Sequence, residues 1–162
     1  MKECTAAGDV LLVQAAPPRP MNAVAALLVL QDGRYVMQLR DAVPGIFYPG
    51  HWGCFGGGVE AGESPLDALH RELREELEFQ VGQAQQFSRF EFDFSPLGYF
   101  NVFRIYFEVP VSESEFGRFV LREGAELRAF QGQDLLAGYK VTPYDAFAIW
   151  MHLSRARFGT AR

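Results

Sequence analysis

The segment at residues 56–79, GGGVEAGESPLDALHRELREELEF, joins a glycine run to a glutamate-rich stretch with helical periodicity. Glu72, Glu75 and Glu76 are three and four residues apart, and an α-helix places positions with this spacing on one face. Like charges at this spacing repel, and anions toward a helix C-terminus are also disfavoured by the helix dipole. A divalent cation among the carboxylates would explain the cluster, because Mg²⁺ prefers carboxylate and phosphate oxygens.

An ordinary surface helix is the competing interpretation of the same residues. Glutamate-rich helix faces are common, and Arg71 and Glu75 have the i,i+4 spacing of a solvated ion pair. Arg74 and Glu78 repeat that spacing. Three glycines more often mark a turn than a ligand-binding loop, although glycine also lets the backbone approach a ligand closely. The carboxylates and glycines by themselves leave both interpretations open.

The fixed positions of the segment resemble the signature of the Nudix hydrolases. That signature is G-x5-E-x7-R-E-U-x-E-E-x-G-U, where U is a bulky aliphatic residue. The matching residues, in order, are Gly57, Glu63, Arg71, Glu72, Leu73, Glu75 and Glu76. Two end positions depart from the signature, since Glu78 stands in place of a glycine and Phe79 in place of an aliphatic residue. The resemblance implies an α/β fold, namely a Nudix-type α/β/α sandwich with a mixed central β-sheet.

The resemblance also implies an activity. It predicts a pyrophosphohydrolase that cleaves a nucleoside diphosphate linked to another group by attack of water at phosphorus. Nucleoside triphosphates and nucleotide sugars are substrates of this kind. The implied cofactor is Mg²⁺, or Mn²⁺ in its place, and the implied partner is a small nucleotide. A homodimer is left open.

Site residues follow from the resemblance, position by position. The implied metal ligands are a backbone carbonyl of Gly56 or Gly57 and the carboxylates of Glu72, Glu75 and Glu76, with Glu76 central. The implied catalytic residues are Glu75, Glu76, Glu123 and Arg71. Arg71 is expected to pair with Glu63 and to hold the glycine loop against the helix.

A loop glutamate outside this segment is a candidate base, because some family members use one there to bind metal or to orient water. Glu123 is the first choice and Glu126 the second, and a solvated acidic loop is the alternative. Two other functions also remain open. The first is a catalytically weak Nudix-fold module that binds or regulates, which the intact box glutamates disfavour. The second is an acidic protein-interaction surface, which would not explain the glycine loop.

Local signals define the helix that carries the glutamates. Ser64 is a favourable N-cap, Pro65 suits the first helical position, and Asp67 lies where a capping-box acid belongs. The apolar stripe is predicted to consist of Leu66, Leu69, Leu73 and Leu77. Glu78 predicts one of two helix ends. Either the helix continues and stops at Gly82, or Glu78 turns outward and pairs with Arg74.

The remaining chain predicts alternating strands and helices within one domain. Residues 1–20 are expected to be an N-terminal extension or edge strand, with a short strand at 9–14, and residues 21–162 a single domain. Further strands are predicted at 23–30, 35–39, 99–109 and 126–130, and on one face of another strand lie Phe90, Phe92 and Phe94. A last helix is predicted from Thr142 to about Arg155, with an apolar side of Ala146, Ile149, Trp150 and Leu153.

Composition bounds the class of protein. A chain of 162 residues with a net charge of −5 suits one compact domain and argues against a polynucleotide binder, which is usually basic. Cys4 and Cys54 are too few for a disulfide framework or a zinc site, so reduced thiols in a cytoplasmic protein are expected. No secretory signal is evident, and no apolar run reaches the roughly 20 residues of a membrane span.

Aromatic and histidine side chains give weaker signals. Trp52 has the chemistry to stack on a base, but a core position is the favoured interpretation. Aromatics that could line a base pocket are Phe94, Tyr99 and Phe100. The histidines, which form no metal-ligand set by spacing, are His51, His70 and His152. Cys54, although close to the glycine loop, is expected to be a buried structural thiol.

Overall fold

A mixed β-sheet between helices forms the body of the protein. The computed structural model describes residues 21–98 and 101–158. The strands are Met21–Leu30 (β1), Tyr35–Leu39 (β2), Trp52–Gly53 (β3), Gln85–Phe92 (β4), Val102–Val111 (β5) and Glu126–Phe130 (β6). The helices are Pro65–Leu77 (α1), Glu113–Phe116 (α2), Gly132–Gly138 (α3) and Pro143–Phe158 (α4). The sheet order is β3-β2-β1-β5-β4, with β6 also paired to β2. The predicted α/β architecture with a mixed sheet is confirmed.

Strand β1 is the central element and positions the glycine loop. It pairs with β5 in parallel along its whole length but with β2 only around Leu28 and Val29. Nearer its start, the segment 55–58 takes the place of β2 beside β1. The amide of Val24 donates to the Gly57 carbonyl at 2.9 Å, and the amide of Ala26 donates to the Phe55 carbonyl at 2.9 Å. The apolar run of β1 is therefore buried on both faces, and the glycine loop is fixed to the sheet.

Two hydrophobic clusters pack the helices on opposite faces of the sheet. Leu69, Leu73 and Leu77 of α1 are fully buried in the first cluster, against β1 and β5. Burial of each such leucine is worth roughly 1.5–3 kcal/mol. Ala148 and Ile149 of α4 are buried in the second cluster. The predicted stripe on α1 is correct except at Leu66, which lies in the first turn and is 41% exposed.

The start of α1 agrees with the sequence prediction, and the end of α1 differs from it. The Ser64 hydroxyl accepts the Asp67 amide at 3.1 Å, as predicted for an N-cap. The Asp67 carboxylate accepts that hydroxyl at 2.6 Å rather than a backbone amide, so only half of a capping box forms. The helix ends at Leu77, and Glu78 adopts the left-handed conformation with φ 54°.

The first expected outcome for Glu78 is therefore wrong, and the second is right only in that Glu78 turns outward. The helix does not run on to Gly82, and the carboxylate of Glu78 pairs with Arg122 rather than with Arg74. The physical reason is the next residue. The Phe79 side chain is buried in the first cluster and packs on Phe119 at a ring-centroid distance of 4.9 Å, which turns the chain inward.

Helix α4 buries a different face from the predicted one. Of the four predicted side chains only Ile149 is fully buried, while Trp150 is 50% exposed and Leu153 is exposed as well. The inner face also carries two polar residues, Asp145 and His152, which are buried and hydrogen-bonded. Because these polar positions face inward, the apolar pattern alone gave the wrong side.

Other boundaries are close to expectation. Strands β2 and β6 have the predicted limits, whereas β5 begins at Val102 and β4 ends at Phe92, before Phe94. The predictions for segment 1–20, Tyr99 and Phe100 concern residues outside the described ranges. No helix of the described ranges is both long enough and apolar enough to cross a membrane.

Candidate active site

Glu76 is the most buried carboxylate of the predicted cluster. It is 5% exposed, and its Oε2 accepts the Gly56 amide at 2.8 Å while its Oε1 accepts the Gln38 side-chain amide at 3.4 Å. Burial is the main cause that raises the pKa of Glu76 to about 8, and the nearby charges of Glu123 and Glu72 contribute to this shift. A group in this setting retains its proton near neutral pH unless a cation lies beside it.

Glu72 lies one turn earlier on α1, against the glycine loop. Its Oε1 accepts from the Arg71 guanidinium at 2.8 Å, and burial raises the pKa of its carboxyl group. A Cβ atom at Gly57 would lie only 2.4 Å from that same oxygen. The glycine therefore leaves the space that the Glu72 carboxylate occupies.

Arg71 ties the loop to the helix. It donates to both carboxylate oxygens of Glu63 at 3.0 Å and to the Gly58 carbonyl at 2.8 Å. The hydrogen bonds from Arg71 hold the pKa of Glu63 below its usual value. The expected Arg71–Glu63 pair is present, and Arg71 also approaches the exposed Glu75 carboxylate at 3.4 Å.

A loop that is hydrogen-bonded to the C-terminal end of α1 brings Glu123 to the cluster. The Arg122 amide donates to the Glu76 carbonyl at 2.8 Å, and the Val120 amide donates to the Leu77 carbonyl at 3.1 Å. These bonds satisfy carbonyls that a helix end leaves free. Glu123 then lines the same cavity as Glu76. Glu126 instead begins β6 and pairs with Arg128.

Replacing Glu78 with glycine is expected to leave metal-dependent turnover within a few-fold and to raise stability by about 0.5–1 kcal/mol. Glycine removes the cost of the left-handed conformation, and the exposed ion pair with Arg122 that it loses is worth little. The backbone bonds to Glu76 and Leu77 still hold the loop. Urea denaturation and turnover measure both effects.

The control for this substitution is Glu78→Ala. Alanine loses the ion pair but keeps the strained conformation, so it should be slightly less stable than the native chain. An inactive native chain that gains activity with Glu78→Gly would contradict the expectation and would favour a binding module.

A cavity of about 270 Å³ opens beside these carboxylates. Its lining residues are Ala23, Arg40, Phe47, Gly56, Gly57, Gly58, Glu76, Arg104, Glu123 and Tyr144. Sequence reasoning missed the two arginines, Gln38 and Tyr144. A usable signal was present for Arg104 and Gln38, because each is a polar residue inside a mostly apolar strand.

Arg104 and Asp145 form a buried ion pair at the wall of this cavity. The Arg104 Nε lies 3.6 Å from Asp145 Oδ1, and its Cζ lies 4.9 Å from the centre of the Tyr144 ring. Asp145 accepts hydrogen bonds from the Cys54 amide, the Thr142 hydroxyl and the Tyr106 hydroxyl at 2.7–2.9 Å. The pair thus connects α4 to β5 and to the chain just before the glycine loop.

Most of the weaker candidates have structural roles. Trp52 is buried and packs edge-on against Phe130, so the core interpretation holds. Phe94 packs in an aromatic cluster with Tyr144. Cys54 is a buried free thiol, and this burial raises the pKa of the thiol. His70 is exposed on the side of α1 that faces a separate cavity of about 470 Å³.

The donor chemistry of the cluster suits a divalent cation, although the side chains are not gathered around one point. Across residues 21–98 and 101–158, no three acidic, histidine or cysteine side chains are arranged to hold a metal ion. Glu72 and Glu75 both turn to Arg71. Burial is the main reason that the pKa values of Glu76 and Glu72 are nevertheless raised. A cation would reduce the electrostatic repulsion among these carboxylates and Glu123. Their residue types therefore fit Mg²⁺.

A family comparison identifies the chain. The NUDIX domain model matches residues 19–155, which include the whole sheet, α1 and Glu123. The chain belongs to the Nudix family. The predicted family membership is thereby confirmed, and the matched span extends well beyond the signature segment.

Curated relatives of this Nudix protein match it locally. The nucleoside triphosphatase NudI of Escherichia fergusonii is 50% identical over 50 residues, which cover 31% of this chain and 35% of NudI. NudI of Escherichia coli O139:H28 is 46% identical over 54 residues, covering 33% of this chain and 38% of that protein. The chain thus spans little more than a third of the length of these relatives.

Solved structures match over most of the chain. A MutT structure from a comparison of Aliivibrio salmonicida and Vibrio cholerae is 26% identical with a TM-score of 0.67, covering 85% of this chain and 99% of that one. The MutT protein from Methanosarcina mazei Go1 is 20% identical with a TM-score of 0.71, covering 88% and 97%. The second likeness supports the fold alone.

Proposed function

We propose that this Nudix protein is a Mg²⁺-dependent pyrophosphohydrolase that cleaves a nucleoside diphosphate linked to another group by attack of water at phosphorus. The observation that carries the proposal is the meeting of Glu76 and Glu123 with the glycine loop at one cavity. Glu72 lies beside them on α1. The name of a similar relative, nucleoside triphosphatase, makes nucleoside triphosphates the first substrates to test.

The metal ligands are proposed from the same cluster. Glu72, Glu75 and Glu76 would hold Mg²⁺, or Mn²⁺ in its place, together with a backbone carbonyl of Gly56 or Gly57. When bound, the ion polarises the phosphoryl oxygens, offsets developing negative charge and makes water easier to deprotonate. The Gly57 carbonyl already accepts the Val24 amide, but a carbonyl oxygen has a second lone pair.

Two further residues are proposed to hold the glycine loop in place and to accept the proton of the attacking water. Arg71 holds Glu72 and the Gly58 carbonyl together, so it fixes the loop against α1. Glu123 is exposed to the cavity and is our choice for the base that takes the proton from the attacking water. A reduced Cys54 is consistent with the cytoplasmic location that we also propose.

Glu123→Gln is expected to lower kcat by at least tenfold and to change KM little, because the amide cannot accept the proton at this position. Glu126→Gln is the matched control and should be mild, since Glu126 pairs with Arg128 away from the cavity lining. Steady-state kinetics on the best substrate measure both. A larger loss with Glu126→Gln would move the role there, and two mild variants would place the base among the glutamates of α1.

A substrate panel tests the activity itself. Nucleoside triphosphates, nucleotide sugars, dinucleoside polyphosphates and ADP-ribose are incubated with the protein, and released products are measured with Mg²⁺ and with chelator. We expect Mg²⁺-dependent cleavage in at least one class. Absence of cleavage in every class would contradict the proposal.

A binding or regulatory module is the second candidate. The turn of Glu72 and Glu75 toward Arg71 favours it, because these carboxylates are engaged in ion pairs. Such a module would bind nucleotides in equilibrium measurements and yet release no product in the panel. Turnover that depends on Mg²⁺ would exclude it.

A further inference from the structure

Strand β4 leaves one edge of the sheet open. It is the last strand in the sheet order and pairs with β5 on one side, and within residues 21–98 and 101–158 no strand pairs with its other side. Backbone amides and carbonyls along such an edge are a template for another strand. The pairing with β5 is irregular between Gln86 and Ser88, so the regular part of β4 consists of residues 88–92. The open edge therefore offers a short regular strand with Phe90 at its centre.

Exposed aromatic side chains of α4 adjoin the same edge. Phe147 is 42% exposed and packs edge-on against Phe90 of β4 at a ring-centroid distance of 5.0 Å. Trp150 is 50% exposed and stacks on Phe147 with the ring centroids 6.3 Å apart. Exposed aromatic residues beside an open strand edge are typical of a protein–protein contact. A partner strand added to β4 would bring its own chain close to both rings.

The charges on the other face of β4 indicate which partner fits. Arg89 and Glu91 are exposed, and neither forms an ion pair in the part of the chain that the structure describes. Charged side chains usually keep a strand edge from pairing. Antiparallel pairing of two copies about Phe90 removes that obstacle, because residue 89 of each copy then lies opposite residue 91 of the other. Opposite charges directly across a strand pair are stabilising, and two-fold symmetry forms this contact twice.

We propose that the open edge of β4 and the aromatic side chains of α4 form the interface of a symmetric homodimer, in which the two β4 strands pair antiparallel with Phe90 opposite Phe90. The two-fold axis is perpendicular to the sheet, so both α4 helices lie on the same face and bring Phe147 and Trp150 of the two copies together. The Phe90 pair adds a cross-strand aromatic contact. None of these residues lines the cavity beside Glu76, so each copy keeps a complete site and turnover does not depend on the dimer.

Charge reversal tests this interface by sedimentation velocity over a range of protein concentrations. The native chain is expected to dimerise. Arg89→Glu and Glu91→Arg each place like charges opposite one another at two positions, so each should weaken self-association by about tenfold or more. An equimolar mixture of the two variants should associate again, because every facing pair in the mixed dimer has opposite charges. The matched control is Arg118→Glu, an exposed arginine after α2, which should dimerise like the native chain.

The double variant Arg89→Glu/Glu91→Arg separates a lost contact from a lost fold. It restores both pairs of opposite charges within the homodimer, so its self-association should return to the native level. A native chain that stays monomeric would overturn the proposal, and this is the result expected if another segment of the chain covers the β4 edge. Dimerisation that survives both single variants would place the interface elsewhere and overturn it as well. Single variants that neither associate when mixed nor regain association when combined would refute the antiparallel pairing about Phe90.

Discussion

Glu76→Gln is expected to lower Mg²⁺-dependent turnover by at least two orders of magnitude. The amide keeps the size of the side chain but removes the charge that we propose to hold the ion, and metal assistance is worth several kcal/mol in such reactions. Initial rates at saturating Mg²⁺ measure the effect. Glu91→Gln, an exposed glutamate on β4, is the control and should retain native activity.

Measuring the stability of Glu76→Gln distinguishes loss of the metal site from loss of the fold. The pKa of Glu76 is about 8 in the folded chain, above its ordinary value of 4.5. The folded state therefore binds the proton more tightly, and the metal-free native protein should lose stability as pH rises from 4.5 through 8. Glutamine removes this loss, which amounts to a few kcal/mol at most. Urea denaturation with chelator should then show Glu76→Gln more stable than the native chain at pH 8.5.

A result against this assignment would be near-native turnover of Glu76→Gln. Reduced turnover accompanied by a large loss of stability at pH 8.5 would also count against it. In that case Glu76 would be a structural group of the α1 interface rather than a metal ligand.

Gly56→Ala is expected to destabilise the protein by about 3 kcal/mol or more. A Cβ atom there would lie 2.3 Å from the Val24 carbonyl oxygen and 3.0 Å from the Ala25 Cα, which are backbone atoms of the central strand. The φ of Gly56 is +127°, a conformation that side chains rarely adopt. The clash and the strain add, because neither the strand nor the loop can move without breaking their pairing. Thermal and urea denaturation measure the loss.

Gly58→Ala is the matched control from the same loop. Nothing lies within 4 Å of a Cβ at Gly58, so a change within about 0.5 kcal/mol is expected. Similar stabilities for the two variants would show that the close approach of the loop to β1 is not a constraint on the fold.

The sequence predicted correctly those element boundaries that depend on neighbouring residues in the chain. Ser64 and Pro65 define the start of α1 because a cap and an N-terminal proline act within one turn. The limits of β2 also follow from a short, mostly apolar run, and the predicted limits of β6 are correct as well. The position of Glu123 could be expected only from the resemblance, because the backbone bonds that bring its loop to α1 join distant parts of the chain.

The features that escaped prediction depend on tertiary contacts. The buried face of α4 was misassigned because Asp145 and His152 are satisfied by partners on β2, β3 and β5 or next to them. The end of α1 was misassigned because burial of Phe79 overrides the cost of the left-handed Glu78. Arg104 lies in a mostly apolar strand, and only the fold shows that it lines the cavity beside Glu76.

Binding of Mn²⁺ tests most directly the central claim that the carboxylates of α1 hold a divalent ion. Free Mn²⁺ is measured by electron paramagnetic resonance during titration of the native chain and of Glu76→Gln. We predict saturable binding by the native chain and at least tenfold weaker binding by the variant. Equal affinity in the two proteins, or no saturable binding by the native chain, would contradict the claim.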